Sequence, residues 1–150
     1  MSTPPTYVNG HGLLAGKKVL VTAAAGTGIG FQAAKRAIEE GAQVVISDKH
    51  ERRCGESAAE LGVVGIPCDV TVEDDVQALV KGAAEALGGI DIFINNAGLG
   101  GEVPIVEMTD DQWSLVLDVT LNGTFRCMRA EMKYLYANGG GVIVNNASVL

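Results

Sequence analysis

Val19 to Gly30 reads VLVTAAAGTGIG, and its reading decides the fold. It opens as a buried strand, Val19-Leu20-Val21, and then packs three alanines and three glycines into a turn. Beyond Gly30, FQAAKRAIEEG places Phe31, Ala34, Ala37 and Ile38 on one helical stripe. Strand, glycine turn and helix in succession can cradle a pyrophosphate. Small residues let the backbone approach the phosphate, and N–H groups of the helix's first turn point at the anion. An ordinary tight strand-to-helix connection has the same outline, so the turn alone names no ligand.

Outward from this stretch, strands and helices alternate. Gly41 ends the first helix as a C′ glycine. Gln43 to Ser47 is a strand apolar on both faces, as a covered parallel strand requires. Glu51 to Gly62 reads as a helix with Ala58, Ala59 and Leu61 inward. Val63 to Cys68 is a short strand whose Pro67 limits pairing. Thr71 is placed to cap a helix with an acidic first turn, running to Leu87 and stopped by Gly88 and Gly89. Ile90 to Ile94 is the fourth strand. Thr109 to Gln112 is a capping-box pattern. It opens a long helix to Tyr136 carrying Trp113, Val116, Leu117, Leu121, Phe125 and Met128. Val142 to Asn145 is the fifth strand. The pattern predicts an α/β fold, a doubly wound parallel sheet of order 3-2-1-4-5, over residues 13–150. Residues 1–12 read as a flexible polar arm.

Composition narrows the function. The 150 residues make one domain, 47% apolar, with 18 acids against 11 bases and a net charge of −7. That balance argues against nucleic acid and membrane surfaces as partners. No apolar run reaches the about 18 residues of a membrane span, and the start lacks the regions of a signal peptide. Cys54, Cys68 and Cys127 are far apart, form no CxxC pair and have no ligand-like spacing to His11 or His50. They read as buried reduced thiols of a cytoplasmic protein, with no metal site.

In such sheets ligands sit at the carboxyl ends of the strands. Those ends carry Asp48, Asp69, the run Asn95-Asn96-Ala97-Gly98, and Asn145-Asn146-Ala147-Ser148. With these motifs in this order, the chain resembles the short-chain dehydrogenase/reductase family from about Leu14 to its last residue. That family has a TGxxxGxG turn, an aspartate after the third strand, NNAG after the fourth and a serine after the fifth. The resemblance implies a nicotinamide cofactor held by Ala24, Gly26, Thr27, Gly28, Ile29, Gly30, Asp48, Asp69, Val70, Asn96, Ala97 and Gly98. It implies Ser148 as a catalytic residue that orients the carbonyl or alcohol.

The chain departs from the family pattern in three ways. The turn is one residue longer, with alanine where the first glycine would stand. Thr120 occupies the place of the family's mid-helix asparagine. Asn122 lies two residues on, a rotation of about 200° in a helix, so it cannot substitute directly. The family's YxxxK, whose tyrosine exchanges the proton, comes downstream of the serine, and the sequence stops at Leu150. Tyr134 and Tyr136 lie in another helix. The chain therefore reads as the cofactor-binding part of a longer enzyme, because its last apolar strand would otherwise be uncovered.

Two function classes stay open. One is an oxidoreductase interconverting a ketone and a secondary alcohol; the other is a non-catalytic dinucleotide-binding module or redox sensor. VTAAAGTGIG, SDKHERR and NNASVL are similar to family members of bacterial steroid-ring degradation, and an acyl-thioester substrate is equally allowed. Asp48 at the ribose position favours NAD(H) over NADP(H), because a carboxylate would repel a 2′-phosphate. Lys49 is expected to point away from that site, and Arg52 and Arg53 into solvent. Surplus apolar residues on the long helix, Leu115, Val119, Met132 and Leu135, predict a second buried face and a homodimer or homotetramer.

Overall fold

The structure, a computed structural model, describes residues 6–100 and 103–147. Along the chain the strands are β1 Lys18–Val21, β2 Gln43–Asp48, β3 Val64–Pro67, β4 Ile92–Asn95 and β5 Val142–Asn145. The helices are α1 Ile29–Glu39, α2 Glu51–Leu61, α3 Glu73–Leu87, α4 Asp110–Leu117 and α5 Gly123–Ala137. The strands form one parallel sheet in the order β3-β2-β1-β4-β5, the expected arrangement.

Alternate strand residues feed two cores, one on each face. Val19, Val21, Val44 and Ile46 pack with Ala34 and Ala37 of α1 and Ala58 of α2. Leu20, Val45 and Phe93 pack with Val76, Leu79 and Ala83 of α3 and Cys127 and Ala130 of α5. This double coverage is why the central strands are continuously apolar. Pro67 is tolerated because β3 is an edge strand. At the opposite edge, Val142 and Val144 of β5 are exposed. Residues 6–12 carry no regular structure but are tethered. Arg36 donates to the Val8 carbonyl, and Glu40 accepts from the backbone of His11 and Leu13.

Three local expectations are corrected. In α2 the inward residues are Cys54, Ser57 and Ala58, whereas Ala59 faces solvent. The N-cap of α3 is Val72, not Thr71. The Thr71 hydroxyl and N–H both donate to Asp69 instead, at 2.7 and 3.0 Å. The long helix is interrupted by a π-helical turn, Asp118–Asn122, between α4 and α5. Arg126 and Asn122 both bond the Asp118 carboxylate across that turn.

The buried side of α5 is then made of Gly123, Cys127, Ala130, Glu131 and Leu135. Small residues win this face because α5 lies close: a Cβ on Gly123 would sit 2.7 Å from Val70 Cγ2. The large apolar residues Trp113, Leu115, Leu121, Phe125, Met132 and Tyr136 are exposed. The Thr109–Gln112 capping box forms as read, with side chain and backbone bonded reciprocally.

Candidate functional site

The carboxyl ends of β1, β2 and β4 and the segment after β3 open on one cleft of about 410 Å³. Its walls include Thr22, Ala23, Asp48, Lys49, Arg53, Asp69, Val70, Ala97, Gly98, Leu115 and Val119. The cleft exists because β1 gives way to a turn that bends sharply into α1. Ala23 takes φ +49°, a left-handed conformation, at the position where a glycine was expected. Gly26 takes φ +85°. Gly30 is required for space: a Cβ there would lie 2.4 Å from the Ala23 carbonyl oxygen and 2.6 Å from Asn96 Nδ2.

The turn is stitched to its neighbours. Ala24 N–H donates to the Ser47 carbonyl. Ala25 N–H donates to Asp48 Oδ2 at 3.2 Å and Gly26 N–H to Ser57 Oγ at 2.9 Å. Thr27, Gly28 and Ile29 are exposed at the start of α1. Gly28 is the N-cap, no side chain caps that helix, and the space above Gly28 is open. An anion can therefore reach the start of α1 over Gly28.

On the β4 side, the buried Thr22 hydroxyl accepts from the N–H groups of Asn96 (3.0 Å) and Ala97 (3.4 Å). Asn96 Nδ2 donates to the Ala23 carbonyl at 3.1 Å, and Asn146 Nδ2 donates to Asn96 Oδ1 at 2.8 Å. Thr120 Oγ1 accepts from Leu99 N–H at 3.1 Å, so the π-helical turn holds the loop after β4. Asn122 points elsewhere, to Asp118.

Of the candidate residues, Asp48, Asp69, Val70, Ala97 and Gly98 line the cleft together. Ala24 is fully buried with its N–H spent, and Asn96 works from behind the wall. Ser148 lies outside the described residues. Lys49 corrects the sequence reading. It turns into the cleft, because the chain bends after β2, and pairs with Asp69 Oδ2 at 2.7 Å. Partial burial raises the Asp69 pKa, but the Lys49 ammonium and the two bonds from Thr71 outweigh it and hold the carboxyl at about 2. Arg53 is exposed, as expected, but its guanidinium also borders the cleft next to Gly26, whereas Arg52 pairs with Glu56 outside. Thr22, Leu115 and Val119 were not singled out as site residues. The threonine directly after β1 was the available signal.

The comparisons with known proteins agree with this geometry. The family model for short chain dehydrogenase matches residues 17–150. A Mycobacterium tuberculosis protein named (5R,7aS)-5-hydroxy-7a-methyl-1-oxo-2,3,5,6,7,7a-hexahydro-1H-indene-carboxyl-CoA reductase is 55% identical over 100% of this chain and 60% of its own length. A 3beta-hydroxysteroid dehydrogenase of Mediterraneibacter gnavus is 37% identical over 89% of this chain and 50% of its own. The crystal structure of a short chain dehydrogenase from Mycobacterium smegmatis matches with a TM-score of 0.93 at 53% identity, covering 97% of this chain and 63% of that one. The chain thus spans about 60% of the length of the first of these relatives.

Proposed function

The chain belongs to the short chain dehydrogenase family, and from that premise we propose that the whole protein is a nicotinamide-dependent oxidoreductase interconverting a ketone and a secondary alcohol. The observation that carries this reading is the joining of the glycine turn to the NNAG run through Thr22, Asn96 and Ala23 at the mouth of one cleft. This leaves an open, uncapped helix start beside an acidic strand end. The fit to a dinucleotide is direct. Thr27–Gly30, at the start of α1, would hold the pyrophosphate, Asp48 the adenosine ribose, and Asp69 and Val70 would flank the base. Ala97 and Gly98 leave room for the rest. When bound, the nicotinamide supplies or accepts the hydride.

Asp48 accepts from Ala25 and His50 N–H groups. This fixes the carboxylate while leaving lone pairs for ribose hydroxyls, and favours NAD(H) over NADP(H). Lys49 is already neutralised by Asp69. Arg53 is the opposing feature, a cation near the same wall. Ser148 follows β5 and orients the carbonyl. For the substrate, the 55% identical reductase supports a ring ketone or alcohol on an acyl-CoA, and the hydroxysteroid dehydrogenase supports a polycyclic skeleton. Of the residues expected on the second face, Leu115 and Met132 are exposed, whereas Leu135 is buried and Val119 packs against the core. The exposed row Leu121, Phe125, Met132 and Tyr136 is the face for a dimer or tetramer. No helix among the described residues is long and apolar enough to cross a membrane; a cytoplasmic enzyme fits the three buried free thiols. A non-catalytic sensor would need neither Ser148 nor the substrate-side wall.

The experiment uses the full-length protein. Ser148→Ala should lower kcat by about a hundredfold or more with near-normal cofactor binding. Asp48→Ala should shift relative affinity toward NADP(H). An unchanged kcat removes Ser148 from the mechanism. Tighter NADP(H) binding by the wild type overturns the cofactor assignment.

A further inference from the structure

Behind the cleft lies a carboxyl that the proposed chemistry does not use. Glu131 of α5 is 2% exposed, and among the described residues no cation pairs with it. It accepts from Asn95 Nδ2 at 2.8 Å, and the same Nδ2 donates to Asn145 Oδ1 at 3.0 Å. Asn95 and Asn145 are register partners at the ends of β4 and β5. One residue further on, Asn146 bonds Asn96, which bonds the Ala23 carbonyl. Two adjacent tiers of amides thus run from α5 across both strand ends to the glycine turn. One acceptor in them, Asn95 Oδ1, is buried with no partner. An unpaired buried acid beside an orphaned buried acceptor is costly on both counts.

We propose that Glu131 is a positioning residue of the cofactor site, its carboxyl fixing, through Asn95 and Asn145, how the ends of β4 and β5 present Ala97 and Gly98 to the cleft. This rests on the dinucleotide-binding reading above. An ionised carboxyl can only accept, so it holds Asn95 Nδ2 toward itself and leaves Oδ1 bare. A protonated carboxyl can donate to Oδ1 once the Asn95 amide turns over, and Asn145 then donates through its own Nδ2, which gives up its weak bond to Met128 Sδ. One proton reverses the donor direction between the two strand ends.

Burial pushes the Glu131 carboxyl up to about 7, against the lowering bond from Asn95. Both forms are therefore populated near neutrality. The groups around it are neutral: Asn95 from β4, which bonds it, Asn145 from β5 behind Asn95, and Cys127 on α5, whose thiol burial pushes up to about 12. Cys68, after β3, acts on Cys127 and is itself raised to about 12 by burial. Glu73 of α3 is spent on Arg129, and Arg126 on Asp118.

The first test uses cofactor-free full-length protein. Side-chain amide resonances of Asn95 and Asn145 should move together through one transition between about pH 6 and 8 in the wild type, and stay flat in Glu131→Gln. The NAD(H) Kd of the wild type should follow the same transition, and that of Glu131→Gln should not. Glu131→Ala should weaken binding by about tenfold; if that variant does not fold, the pH comparison with Glu131→Gln decides. Normal dinucleotide binding with unmoved amides, or with a Kd equally flat in both proteins, overturns the role of Glu131 alone. A wild type that binds neither NAD(H) nor NADP(H) overturns the functional reading, and the positioning role with it.

Discussion

The two rims of the cleft are built on different physics. The rim formed by the turn after β1 is held by shape. Ala23 and Gly26 sit at positive φ, Gly30 has no room for a side chain, and the N–H groups of Ala24, Ala25 and Gly26 are spent on fixed acceptors of β2 and α2. The rim formed by the end of β4, backed by the end of β5, is held by side-chain amides: Asn95, Asn96, Asn145 and Asn146, with Glu131 behind them. Steric constraint is indifferent to protons. An amide network anchored on a carboxyl is not. The rims meet where Asn96 Nδ2 donates to the Ala23 carbonyl, directly against Gly30.

Gly30→Ala attacks that junction and carries the largest expected effect. The added Cβ meets a backbone oxygen at 2.4 Å, an atom that can yield only if the turn moves. We expect a loss of about 3 kcal/mol of stability, measured by urea denaturation of the full-length protein, together with lost dinucleotide binding. Gly28→Ala is the control, because nothing lies within 4 Å of its Cβ position; as an N-cap change it should cost no more than about 1 kcal/mol. Equal effects at the two glycines would mean that the turn rim is not held by shape.

The turn rim was also the more legible one in the sequence. Glycine spacing, continuous apolar strands and the capping box at Thr109 are local signals, and the sheet order followed from their alternation. The amide rim depends on pairs far apart in the chain, such as Asn95 with Glu131 and with Asn145, which no local pattern announces. Lys49 was misread for the same reason. Its direction is set by Asp69, twenty residues on, not by the alternation of an extended strand. The π-helical turn at Asp118–Asn122 escaped because a stripe count assumes one winding throughout the helix. On the long helix Trp113, Leu115, Leu121, Phe125 and Met132 are exposed, and the buried side of α5 combines the small Gly123, Cys127 and Ala130 with Glu131 and Leu135.

The second prediction separates the rims by pH. The Glu131 pKa is raised from 4.5 to about 7 in the folded protein. The folded state then holds this proton at pH values where the unfolded state has released it. The associated stability is fully present below 4.5 and is lost as pH rises through about 7. Relative to Glu131→Gln, the wild type should lose about 3 kcal/mol across that window. Asp69 does not confuse the result. Its pKa is lowered from 3.8 to about 2, so its contribution disappears only as pH falls through that acid range. Denaturation midpoints of both proteins from about pH 4 to 8 supply the measurement. Parallel curves would remove the proton from the amide rim.

The smallest effect belongs to the turn rim and should be free of pH. Ala23 holds φ +49° where the family pattern has glycine. A left-handed residue with a Cβ costs about 1–2 kcal/mol, and glycine at that position costs nothing in the fold. Against this, Ala23→Gly adds conformational freedom to the unfolded chain, worth about 0.4–1 kcal/mol. Little packing is lost, because Ala23 lies at the cleft wall and is only partly buried. The balance is a gain of about 0.5 kcal/mol, the same at every pH from about 4 to 8. The matched substitution Ala34→Gly, in the middle of α1 and fully buried, should instead destabilise by about 1 kcal/mol. If Ala23→Gly destabilises as much as Ala34→Gly, the Ala23 methyl contributes more by contact than its backbone loses by strain. If the gain varies with pH, the turn reports the protonation of Glu131 through Asn96, and the two rims form a single mechanical unit.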